Sequence, residues 1–123
     1  MLVEDDPLVR AAILRLLLAS GLSAISVGDG EAAKMAMDEV GDFNLLVTDI
    51  RIPGRFDGLA VATEWRRQHP DCPIVFVSGH FDGSFLANAL GPRDIFLRKP
   101  FRRAEFLEAI RCLFPSSEQI IAL

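Results

Sequence analysis

The amino-acid sequence predicts a doubly wound α/β domain, with one five-stranded parallel sheet and helices on both faces. Three observations carry this. Five short apolar runs, at residues 1–3, 23–27, 43–48, 73–77 and 94–98, alternate with five stretches of helical periodicity, and strict alternation requires crossovers and hence a parallel sheet. The 123 residues, half of them hydrophobic and 24% charged, suffice for one well-packed domain and leave no room for a second. Four of the runs end in residues with metal or phosphate chemistry, Glu4-Asp5, Asp49, Ser78 and Lys99, and ligands of open parallel sheets sit at the carboxyl ends of strands.

In chain order, residues 1–3 form a strand ending at Glu4 and Asp5. Asp6 before Pro7 reads as an N-cap followed by proline at the first helical position, which leaves Glu4 and Asp5 as the free carboxylates. Adjacent acids repel, and such a pair persists mainly when a cation lies between its members or one is protonated. A hard, oxygen-seeking ion such as magnesium is the natural occupant. The first helix runs from 7 to about 20 and stops at Gly21, a C′ glycine. Its apolar residues, Leu8 through Leu18, cover more than one stripe, with Arg10 and Arg15 as its only charges. A helix apolar on most sides is buried on two faces or meets a partner, and the reading favours a partner.

Residues 23–27 are the second strand, Gly28-Asp29-Gly30 the turn, and 31–40 an amphipathic helix with Ala32, Ala33, Met35, Ala36 and Met37 mostly inward as core filler. The third strand, 43–48, delivers Asp49 to a loop. Asp49 there either serves as a nucleophile on a rigid mount or merely opens a turn before Pro53-Gly54. Asp57 caps a helix reaching about His69, and 73–77 is the fourth strand, ending at Ser78. A short, irregular helix through about Leu90 follows, then the fifth strand, 94–98, ending at Lys99-Pro100. The last helix spans 101–114, with Phe106, Leu107, Ile110 and Leu113 at helical spacing. The domain is therefore 1–114, followed by a short tail, 115–123.

Composition excludes several classes. A net charge of −4 gives no general attraction to nucleic acid or anionic lipid, and no apolar run approaches the roughly 18 residues of a membrane span. Acids stand where a signal peptide carries bases, so a cytoplasmic protein is expected. Cys72 and Cys112 match no metal spacing and read as reduced thiols.

The chemistry follows from residue types. A carboxylate attacking phosphorus gives an aspartyl phosphate, and the loose transition state asks mainly for positioning and charge neutralisation. Magnesium at Glu4, Asp5 and Asp49 would supply part of that, Lys99 a point charge, and Ser78 a hydroxyl donor. Singly, Ser78 reads as a turn cap, Lys99 as a surface lysine and Glu4-Asp5 as solvated acids. Jointly they read as one site.

On Leu2-Val3-Glu4-Asp5-Asp6-Pro7-Leu8-Val9-Arg10, Leu46-Val47-Thr48-Asp49-Ile50-Arg51-Ile52-Pro53-Gly54, Asp57-Gly58, Val75-Phe76-Val77-Ser78-Gly79 and Phe96-Leu97-Arg98-Lys99-Pro100-Phe101, the chain resembles a receiver domain of two-component response regulators, of the single-domain, chemotaxis-regulator-like type. The resemblance implies a flavodoxin-like sheet of strand order 2-1-3-4-5. It implies Asp49 as phosphoryl acceptor, magnesium held by Glu4, Asp5, Asp49 and the Arg51 carbonyl, and Ser78 and Lys99 on the phosphoryl group. It also implies a cis Lys99-Pro100 bond and Phe96 as a switch aromatic that follows Ser78, whereas packing alone would make Phe96 a core residue. Such a domain is a phosphoacceptor switch, catalysing only its own phosphorylation and dephosphorylation. The donor is a histidine kinase or histidine phosphotransfer protein, and the output is a protein target, a phosphorelay or a homodimer. The docking face expected is Leu8 and Ala12 with Arg102 and Arg103, whose charges oppose the helix dipole and suit an acidic or phosphorylated neighbour.

The chain departs from the family in three places. The loop from Asp49 to Asp57 is one residue longer than the commonest form, the segment from Ser78 to Lys99 is slightly short, with Leu90-Gly91-Pro92 in place of Ala-Gly-Ala, and Met1 begins later than usual, as a late start or a piece of a longer chain would. Two other readings stand. A haloacid-dehalogenase-type phosphatase uses similar residues but expects a second Asp where Arg51 stands. An interaction domain that no longer takes phosphate would need none of them.

Overall fold

The computed structural model of the chain describes residues 1–79 and 90–115. Among these the elements run β1 (Leu2–Val3), α1 (Pro7–Ala19), β2 (Ser26–Val27), α2 (Gly30–Val40), β3 (Leu46–Asp49), α3 (Gly58–Gln68), β4 (Ile74–Ser78), β5 (Ile95–Arg98) and α4 (Arg103–Leu113). The sheet is wholly parallel in the order β2-β1-β3-β4-β5, as expected. The chain winds outward from β1 on one side and from β3 on the other, so the crevice between their carboxyl ends is the switch point.

Successive strand residues face opposite ways, and both faces are buried, which is why the strands read as continuous apolar runs. Leu2, Val47, Val75, Val77 and Leu97 meet Ile13 and Leu17 of α1 and Phe106 and Ile110 of α4. Val3, Leu46, Ile74 and Phe76 meet Met37 of α2 and Val61 and Trp65 of α3.

Several expected boundaries are revised. The second strand pairs only at Ser26–Val27, because β1 itself offers two residues to pair with. The third begins at Leu46 and includes Asp49, which pairs with Val77. Phe43 instead packs beside the rings of Trp65 and His69, at centroid distances of 5.7 and 6.5 Å. In α2, Ala33 and Met37 are buried but Met35 is exposed, since two residues of helix turn a side chain to the far face. Phe101 precedes α4, stacked on Phe106 at 5.7 Å, and Arg102 is the N-cap residue. The irregular helix expected before Leu90 lies at 80–89, outside the described residues, as does the tail from 116.

Candidate functional site

The first strand of the sheet stops at Val3, and Glu4 continues its backbone pairing, donating to Val27 O at 3.1 Å. Glu4 is buried while Asp5 is exposed. Asp6 is committed to capping α1, its Oδ1 accepting from Leu8 N (2.9 Å) and Val9 N (3.2 Å). Arg10, one turn into α1, donates from Nη1 to the Glu4 carbonyl at 2.9 Å and so holds the strand end. Asp49 closes β3 with its carboxylate at the mouth of the crevice, Oδ1 accepting from Arg51 N at 3.0 Å.

Lys99 follows β5 and donates from its backbone N to Ser78 O at 2.8 Å. The Lys99–Pro100 peptide bond is cis. Lys99 Nζ lies 2.7 Å from Glu4 Oε2 and 2.6 Å from Asp49 Oδ2, bridging residues 95 and 50 positions apart in sequence. Carboxylate oxygens of Glu4, Asp5 and Asp49 fall within 4.8 Å of one another.

Burial pushes the Glu4 carboxyl above its ordinary pKa; Lys99 pulls it back and the Asp49 charge adds to the rise. Burial alone would lower the Lys99 pKa, but hydrogen bonds and charge from Asp49 and Glu4 outweigh it and raise it. Among the described residues, the three clustered carboxylates share one bridging ammonium, that of Lys99 on Glu4 and Asp49. All the side-chain donors are hard oxygens at close quarters, so the residues fit a small divalent cation.

The fold thus gathers Glu4, Asp5, Asp49 and Lys99. Ser78, buried, ends β4 one residue past the partner of Asp49. Phe96 is half-buried, opposite Phe76 in register, and packs against the α2–α3 side of the core. Arg51 meets the Asp49 carboxylate through its backbone amide. Leu8 and Ala12 are exposed on α1 and line a groove of about 700 Å³ with Val9, Phe101 and Arg103. Arg102 is exposed at the start of α4 and is not among the residues lining it.

Two contributors carried a signal in the sequence but were given no role there. Arg10 carried a signal, as one of two charges on an otherwise apolar helix. Gly58 had one in Asp57-Gly58, but not its cause, since a Cβ there would lie 1.8 Å from Asp49 O.

Residues 1–111 match the response regulator receiver domain family. The chain is 36% identical over 110 residues to nodulation protein W of Bradyrhizobium diazoefficiens, covering 88% of this chain and 47% of that protein. It is 32% identical over 115 residues to the sensor kinase CckA of Brucella abortus, covering 90% of this chain and 12% of the kinase. The chain therefore spans less than half the length of either curated relative. Among solved structures it resembles a response regulator receiver protein from Sinorhizobium medicae, with TM-score 0.84, 29% identity and coverage of 94% and 93%. The receiver domain of NtrX from Brucella abortus is similar too, with TM-score 0.78, 32% identity and coverage of 91% and 95%.

Proposed function

Since the chain belongs to the response regulator receiver domain family, whose members are phosphoacceptor switches of two-component systems, we propose that Asp49 accepts a phosphoryl group from phosphohistidine on a histidine kinase or phosphotransfer protein. The observation that carries this is Lys99 Nζ bridging Glu4 and Asp49 at the sheet's switch point.

An Asp49 carboxylate oxygen attacks phosphorus. The new O–P bond forms as the N–P bond breaks, and the imidazole nitrogen keeps the electron pair and takes a proton from solvent. Lys99, held protonated by its two carboxylate neighbours, has a third N–H for a phosphoryl oxygen. The Ser78 hydroxyl serves another oxygen, and Phe96 follows Ser78 inward to change the β4–β5 surface. Magnesium, held by Glu4, Asp5, Asp49 and the Arg51 carbonyl, supplies divalent charge against the spreading phosphoryl charge when bound.

The donor docks on the groove beside Leu8, Ala12 and Arg103, an apolar surface joined to the cations Arg103 and Lys99, and Arg102, next to Arg103 in the chain, adds a further charge. The output is a protein partner, a relay or a homodimer, in the cytoplasm and without direct contact to nucleic acid or membrane. The domain acts as a switch and turns over no substrate but its own phosphoryl group.

The test is intact-mass analysis after incubation with magnesium and acetyl phosphate. One phosphoryl adduct that requires magnesium and disappears in Asp49→Asn is expected. An adduct that persists in the variant, or a wild type that takes none, overturns the assignment.

A further inference from the structure

Between Asp49 and α3 the chain forms a loop whose backbone is approached closely by two glycines. Gly58 closes one end against Asp49 O. Gly30, first residue of α2, faces the middle, where its absent Cβ would lie 1.6 Å from the Phe56 carbonyl oxygen and 2.6 Å from its carbon. Gly21, Gly41 and Gly54 have positive φ, but Gly30 does not, so space, and not backbone conformation, demands glycine there.

The loop is further tied to α2. Lys34 Nζ lies 6.0 Å from the Phe56 ring centroid, and the Phe56 side chain packs against the α2–α3 side of the core. The helix is a firm support: Asp29 caps it through Ala32 N at 2.7 Å, and Ala33 and Met37 are buried. The same loop starts with the Arg51 amide, bonded to Asp49 Oδ1.

We propose that Gly30 is a positioning residue for the acceptor site. By seating the Phe56 backbone directly on the first turn of α2, it sets the course of residues 50–57 and, with it, how the Arg51 amide holds Asp49. A methyl group at position 30 meets backbone, which cannot swing aside as a flexible side chain can, so the loop or the helix shifts bodily. The proposal rests on Asp49 being the acceptor.

Three variants test it. Gly30→Ala perturbs the contact. Phe56→Ala, at a half-buried loop position, loosens the loop without new bulk. Gly41→Ala strains the other end of α2, where φ is +83° and a Cβ meets nothing within 4 Å. Hydrogen exchange at the Arg51 amide and the thermal midpoint are measured on metal-free protein, then magnesium affinity by calorimetry and the rate of labelling by acetyl phosphate. Gly30→Ala is expected to speed Arg51 exchange and to lower magnesium affinity and labelling by about tenfold or more, the scale typical of residues that orient ligands. Phe56→Ala should move in the same direction. Gly41→Ala should lose thermal stability while exchange and affinity stay within about twofold of wild type.

Gly30→Ala within about twofold of wild type, or Gly41→Ala matching its losses, overturns the proposal. Should Gly30→Ala not fold, Phe56→Ala decides, and unchanged exchange and affinity there overturn it. A wild type that takes neither magnesium nor phosphoryl overturns the proposed function and this proposal with it, whereas variants equal to a competent wild type overturn this proposal alone.

Discussion

At the scale of single residues, Glu4 is a carboxylate buried at a cost in stability. Its carboxyl is pushed above the ordinary value by burial, a rise that Lys99 opposes and Asp49 adds to. With the folded pKa above the unfolded one, the native state binds this proton more tightly than the unfolded chain does. Ionised Glu4 therefore subtracts stability at neutral pH, and the loss is relieved as pH falls through the raised pKa. Glu4→Gln stays neutral, so it is expected to raise the urea midpoint of metal-free protein at neutral pH, to lose that advantage on acidification, and to bind magnesium about tenfold or more weakly. A lower midpoint at neutral pH would mean that the Lys99 pair outweighs the burial. The placement of Glu4, Asp49 and Lys99 at strand ends was legible because strand ends in a βα alternation are recognisable. The Lys99 bridge was not, because it joins positions 50 and 95 residues apart.

At the scale of elements, α1 and the α3–β5 seam make opposite predictions. Leu8 is 82% exposed on α1 beside the groove, so Leu8→Asp is expected to slow transfer from a phosphohistidine donor by about tenfold or more while labelling by acetyl phosphate is unchanged, the loss typical of a central apolar contact. Equal slowing with both donors would place Leu8 in the site itself. Asp94, read in the sequence only as the start of a strand, is a buried clamp. It accepts from Ile74 N (2.9 Å) and Gly91 N (2.7 Å) and pairs with Arg66 of α3. Asp94→Ala strands those donors and should cost about 3 kcal/mol in urea unfolding, while Asp49 still takes its phosphoryl group. Loss of labelling in folded protein would show the seam coupled to the site. Its role was invisible beforehand because each partner belongs to a different segment.

At the scale of the whole molecule, the site and the fold share one free energy. A ligand that binds only the native state stabilises it by mass action, so magnesium at 100 times its dissociation constant should add about 2.7 kcal/mol, and much less in Asp49→Asn. A midpoint independent of magnesium would rule out that linkage. Periodicity and punctuation in the sequence by themselves determined the alternation of strands and helices, the parallel sheet and the strand ends that carry Glu4, Asp5, Asp49, Ser78 and Lys99, because these depend on neighbours a few residues apart. The tertiary structure alone decided that Lys99 bridges two carboxylates, that Met35 faces out, that Asp94 clamps a seam and that Gly30 makes room for Phe56. Those are contacts between distant segments, and local spacing holds no information about which backbone will arrive beside a given side chain.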